Sequence, residues 1–179
     1  SIYCTNYENK TSLEWSKDKR FDRPAAQKRT LIEVCCSDKS LLCDDRFRSE
    51  FSNVIRITEN YDFTTQSGLE KVIAAIMDPD AGRVTLWFST PCTWGTQARI
   101  RNKYMQTNYV ERSCELFDQF FKLLQNDLVC MTLCVLRGGD IVKEWPDTNY
   151  QWKIKPVFTS LGMFNLIPIR FNGCMIGLN

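Results

Sequence analysis

The stretch LVCMTLCVLRGGDIVKEW, residues 128–145, decides the fold. Its first half, 128–136, is apolar enough for a buried strand. It also prolongs a helical stripe of Leu116, Phe117, Phe120, Phe121, Leu124, Leu128, Met131 and Val135, spaced as on one face of a packed helix. The helix reading is preferred because it gives Gly138-Gly139 a purpose. Glycine supplies the left-handed backbone that ends a helix, and DIVKEW (140–145) then becomes the next strand. At the other end, Asn108 and Glu111 stand at the spacing of a helix cap.

Working back toward the N-terminus, RVTLWFS (83–89) reads as a buried strand. Before it, Leu69, Val72, Ile73, Ile76 and Met77 form a second helical stripe. Ser67 and Glu70 give that helix an S-x-x-E capping box, and Pro79 follows its end. NVIRIT (53–58) alternates and is β-branched, as a strand requires. SLLCDDRFRSEF (40–51) reads as a helix and TLIEVC (30–35) as a strand. Toward the C-terminus come a short helix near 152–161 and strands at 165–171 and 174–178, joined by the hairpin signal Asn172-Gly173. Strands and helices that alternate in this way predict an α/β domain over residues 30–179. Its mostly parallel sheet carries helices on both faces and is closed by a C-terminal antiparallel hairpin. Residues 1–29 are polar and basic, an arm outside the core. Only 24 residues (60–83) lie between the second and third strands of the series, too few for another strand–helix unit there.

Composition narrows the chemistry. Apolar residues make up 44% and charged residues 25% of 179, ordinary for a globular chain of one domain. No apolar run approaches the ~20 residues of a membrane span, and the opening residues lack a secretory-signal pattern. A net charge of +2 implies no nucleic-acid partner by itself. There is no histidine, which removes Ser-His-Asp and Cys-His catalysis and every mixed Cys/His zinc site. The nine cysteines include no C-x-x-C pair, so no metal is expected. Their odd number, and the apolar runs around Cys35, Cys130 and Cys134, read as reduced thiols of an intracellular protein, cytoplasmic or nuclear.

Open α/β sheets bind ligands beyond the carboxyl ends of their strands. Here those ends are Cys35-Cys36-Ser37, Thr58-Glu59-Asn60, Ser89 to Thr93, and Glu144-Trp145-Pro146. A carboxylate at such an end is costly unless it binds something, and Glu33 and Glu59 stand there; capping a helix would satisfy either.

The ordered set TLIEVCCSDKS, Glu59, STPCTW and LRGGDIVKEW resembles Rossmann-type methyltransferases that use S-adenosylmethionine. Together with EWP, YQW and FNGCMIGL, it also looks like uncharacterised methyltransferase-like domains of protist genomes and mobile elements. The resemblance spans residues 30–178. It implies a Rossmann-like sheet and a cofactor site built from Glu33, Cys35, Cys36, Ser37, Glu59 and Asp62, with Glu59 on the ribose hydroxyls and Asp62 near the adenine. Cys35-Cys36-Ser37-Asp38 occupies the position of the family's glycine-rich loop. STPCTW is similar to the loop that carries the reacting groups. Cys92 would attack a cytosine ring with Glu144 assisting, or Ser89 would accept from an exocyclic amine. The implied partner is nucleic acid, with Trp94 or Trp145 stacking on a base and Arg99, Arg101 and Lys103 near its phosphates. Two readings stay open. The chain is a nucleic-acid methyltransferase domain, or it is a catalytically inactive fold of that type serving as an interaction module of a larger assembly or polyprotein.

Overall fold

The computed structural model describes residues 2–5 (backbone only), 28–38, 40, 42, 50–96 and 107–169. Its strands are β1 (Ile2–Thr5), β2 (Arg29–Val34), β3 (Asn53–Ile57), β4 (Arg83–Phe88), β5 (Asp140–Glu144) and β6 (Leu166–Ile169). Its helices are α1 (Gln66–Met77), α2 (Tyr109–Leu136) and α3 (Lys155–Met163), with single 3-10 turns at Pro79–Ala81, Thr93–Gly95 and Tyr150–Lys153. The strands form one sheet in the order β3-β2-β4-β5-β1-β6. The four from β3 to β5 are parallel, and β1 runs antiparallel between β5 and β6.

The α/β alternation therefore holds, and the first half of the deciding stretch, 128–136, is helical. Gly138 is left-handed (φ 70°). Its N–H reaches the Val135 carbonyl at 2.8 Å, and the Gly139 N–H reaches that of Cys134 at 2.8 Å. Those are the two bonds of a Schellman closure, which satisfies carbonyls the helix end would otherwise orphan. A side chain at Gly139 would stand 2.6 Å from Cys134 Sγ and 2.7 Å from the Val84 carbonyl oxygen, so helix and strand meet here without room for one.

The buried face of α2 is Phe120, Leu123, Leu124, Asp127, Cys130, Met131 and Cys134, rotated from the predicted stripe. Phe117 and Val135 are each 37% exposed. The small thiols of Cys130 and Cys134, both fully buried, turn toward the sheet, and Cys134 Sγ donates to the Asp140 carbonyl. In α1 the cap is Thr65 rather than Ser67. Its hydroxyl accepts the Gly68 N–H at 3.1 Å, while Glu70 accepts from Gln66 Nε2 at 2.9 Å. The helix starts earlier because the turn before it is already ordered: Asp62 Oδ1 accepts from the Thr64 N–H and hydroxyl.

Two further expectations change. Ile2–Thr5, assigned by sequence to the arm, form β1, with Ile2 opposite both Glu144 and Ile169. The predicted antiparallel neighbour of β6 was a strand at 174–178. The neighbour seen is β1, and 174–178 lies outside the described residues, as does nearly all of the helix read at 40–51. Between β3 and β4 only α1 and one 3-10 turn intervene, as the short spacing required.

Ile32, Val34, Val84, Leu86, Phe88 and Ile141 from the sheet pack with Val72, Ile76, Phe120, Leu124 and Met131 from α1 and α2. Each such side chain contributes roughly 1.5–3 kcal/mol on burial. Consecutive Leu31 and Ile32 are both buried, so both faces of β2 are covered, as befits a central parallel strand. The chain leaves β2 for β3 on one side, returns through α1 to β4 on the other, and continues to β5. The strand order thus reverses between β2 and β4, where a doubly wound sheet opens its ligand crevice.

Candidate functional site

A cavity of about 530 Å³ lies at that reversal. This is within the size range of small-molecule sites. The loop after β2 supplies Cys35, Cys36 and Ser37, and the segment after β3 supplies Thr58, Glu59 and Tyr61 to Thr64. The loop after β4 supplies Pro91, Thr93 and Trp94, and α2 supplies Leu116, Gln119, Phe120 and Leu123. Gln151, beyond β5, completes the lining.

Five of the six predicted cofactor residues meet here. Cys35 has φ 60°, the left-handed backbone that glycine normally takes. Burial pushes the Cys35 and Cys36 thiols up to about 12, with Asp127 adding to the first and Glu33 to the second. Both stay protonated at neutral pH. Glu59 is exposed on the cavity wall and makes no hydrogen bond or ion pair with another described residue. Asp62 is committed to the turn before α1, and its bonds from Thr64 hold its carboxyl below the usual range. Asn126 Nδ2 donates to the Phe63 carbonyl at 2.6 Å and fixes the same turn to α2. Glu33 stands apart: it is 2% exposed, accepts the Ser40 hydroxyl and does not line the cavity.

The predicted reacting residues cluster at the ends of β4 and β5. Glu144 is hydrogen-bonded to Ser89, and burial raises its carboxyl against that bond. The Cys92 thiol is also pushed up, first by burial and then by the Glu144 carboxylate. A nucleophilic thiol needs the opposite environment. Trp94 lines the cavity, stacked on Phe120 at 5.8 Å and 13°. Trp145 is a core residue instead, 3% exposed, donating from Nε1 to the Thr90 carbonyl at 2.7 Å. Arg99, Arg101 and Lys103 lie outside the described residues.

Two features escape the sequence reading. The first is a buried ion pair: Lys143 Nζ lies 2.5 Å from Asp127 Oδ2 and 3.0 Å from Thr90 Oγ1, with both charged side chains 1% exposed. The Lys143 ammonium also sits 4.2 Å from the Trp145 ring centre. Asp127 is four residues, about one helical turn, beyond Leu123 of the cavity wall. A carboxylate inside an apolar stripe was the available signal. The second feature is Gln151, fully buried with neither amide atom hydrogen-bonded to any described group. Its only trace in sequence is Asn149 two positions earlier, whose Oδ1 accepts the Gln151 N–H at 2.8 Å.

Among the described residues, no group of three or more Cys, Asp or Glu could hold a metal, and no helix is long and apolar enough to cross a membrane. Comparison with protein-family models, curated proteins and solved structures finds no match.

Proposed function

We propose that this chain is a methyltransferase-type domain that binds S-adenosylmethionine in the cavity and acts on a nucleic-acid base brought to the ends of β4 and β5. The observation that carries the reading is Glu59. It is an exposed carboxylate at the carboxyl end of β3, on the wall of a cavity at the sheet's reversal point, with a left-handed Cys35 turn beside it. A carboxylate there can accept both ribose hydroxyls in a charge-assisted, bidentate arrangement. The same cavity offers Tyr61, Phe63 and Phe120 as apolar walls for an adenine ring. Of the two chemistries, the environment of Cys92 favours amine methylation, with Ser89 accepting, over thiol attack on a cytosine ring. That protonated thiol is also what favours the second reading, a non-catalytic module of the same fold.

The test is calorimetric titration with S-adenosylmethionine. Removing one partner of a charge-assisted pair costs a few kcal/mol. At 1.4 kcal/mol per decade, Glu59→Ala should therefore weaken binding by roughly tenfold or more. Unchanged affinity in the variant removes Glu59 from the site, and no binding by the parent removes the methyl donor. Transfer of labelled methyl to DNA or RNA separates the enzyme from the non-catalytic module.

A further inference from the structure

We infer that Gln151 is a recognition residue, reading the edge of a planar heterocycle that carries an exocyclic amine beside a ring nitrogen. This inference rests on the methyltransferase-type reading for the class of base and on independent geometry for the residue. Gln151 is 0% exposed, lines the cavity, and leaves both Nε2 and Oε1 without a hydrogen-bond partner among the described groups. Buried polar groups are nearly always paired, and an orphaned amide is costly. A primary amide offers a donor beside an acceptor. Its complement is an acceptor beside a donor, the arrangement through which Gln pairs bidentately with adenine.

The backbone at Gln151 is anchored on both sides: its main-chain N–H donates to Asn149 Oδ1, and its main-chain carbonyl accepts the Ile154 N–H at 3.2 Å. Asn149 Nδ2 in turn donates to the Cys92 carbonyl at 3.0 Å, which stitches the segment after β5 to the loop after β4. Gly95 approaches so closely that a side chain there would stand 2.8 Å from Gln151 Cγ. The stem is wedged against Gly95, and the same cavity is lined by Trp94 and Phe120, two aromatic walls suited to a flat ring. The position also separates this end of the cavity from Glu59. β3 and β5 are three strand spacings apart, about 14 Å at about 4.8 Å each. In this reading a nucleoside sits at the β3 end of the cavity and a base at the β5 end.

The test is equilibrium dialysis of labelled adenosine and cytidine against the protein, with S-adenosylhomocysteine in excess to fill the Glu59 end. The amine-free analogues purine riboside and pyrimidin-2-one riboside serve as controls. The wild-type chain should prefer at least one amine-bearing nucleoside over its analogue by roughly 5- to 150-fold, the range of a bidentate base contact. Gln151→Leu should abolish that preference and raise the thermal midpoint, because the orphaned amide is gone. A merely structural glutamine would lower the midpoint and leave the preference intact. If Gln151→Leu does not fold, Gln151→Met keeps the stem and carries the same comparison. The inference is overturned if the wild type shows no preference for the amine, or if the preference survives in the variant. A preference that depends on Gln151 without any binding of S-adenosylhomocysteine would support Gln151 and count only against the proposed methyl donor.

Discussion

Replacing Lys143 with methionine tests the buried ion pair directly. The substitution keeps the apolar stem and removes the ammonium from a site 1% exposed, 2.5 Å from Asp127. What remains is a carboxylate, also 1% exposed, without its Lys143 counter-charge and hydrogen-bonded to Thr90. Breaking one side of a buried pair typically costs about 3–5 kcal/mol. Part of that cost is the cation–π contact with Trp145 at 4.2 Å, up to about 2 kcal/mol when desolvated. For a chain of this length the loss corresponds to a fall of about 6–20 °C in thermal midpoint. The pair is not thereby a source of net stability. The double variant Asp127→Leu/Lys143→Met should match the wild type or exceed it by about 1–4 kcal/mol, since a well-packed apolar pair avoids the desolvation cost altogether.

The assay is urea unfolding followed by circular dichroism, run as a double-mutant cycle at pH 7 and pH 5. Burial raises the Asp127 carboxyl, and removing Lys143 takes away the charge that opposes this. An acid with a raised folded pKa holds its proton in the folded state after the unfolded chain has released it, so stability falls as pH rises above the unfolded value of about 3.9. The deficit of Lys143→Met relative to wild type should therefore shrink on going from pH 7 to pH 5. A single variant within about 1 kcal/mol of wild type at pH 7, with the same deficit at both pH values, would refute the assignment of a desolvated pair.

The two glycines Gly139 and Gly162 should respond in opposite directions to alanine. Gly139→Ala forces a methyl against Cys134 and the Val84 carbonyl and should cost about 1–3 kcal/mol, whereas Gly162→Ala, in α3 with nothing within 4 Å, should gain about 0.5–1 kcal/mol; both are read from urea midpoints. Among the described thiols, exposed Cys114 should be alkylated by iodoacetamide first, while Cys35 and Cys36, pushed up to about 12, should remain unmodified at pH 8; peptide mass mapping decides it, and early labelling of Cys35 would contradict its protonated state.

Local signals carried most of the fold. Periodicity placed α1 and α2, and Gly138-Gly139 marked the end of α2, because a left-handed closure leaves a mark in adjacent residues. β1 was invisible for the complementary reason. β1 is four residues beside a polar segment, and what makes it a strand is pairing with Val142 to Glu144 and Leu166 to Ile169, far along the chain. The cavity was legible through strand ends, which topology aligns whatever the side chains are. Gln151 was not, since burial without a partner is a property of the assembled site. Asp127 and Lys143 each broke an apolar pattern, but nothing in sequence pairs a helix residue with one sixteen positions later on a strand. The rotation of the α2 face follows from the same blindness: a hydropathy pattern ranks Val135 above Asp127, while the sheet accepts the carboxylate because Lys143 is waiting for it.

The position of β1 also sets an order of events during synthesis. Of the six described strands β1 is synthesised ahead of the rest, yet it is one of the last that can pair, because its neighbours β5 and β6 begin only at Asp140 and Leu166. At ribosomal rates of about 5–20 residues per second, Ile2–Thr5 wait roughly 7–30 s for a partner. Through that interval β2, β3 and β4 can assemble as a parallel unit, while β1 remains an unpaired strand. Such a strand is open to capture by the same edge of another nascent chain. Polysome crowding would then favour exchanged β1 strands over closed monomers, and slower elongation through residues 90–140 would lengthen the exposure.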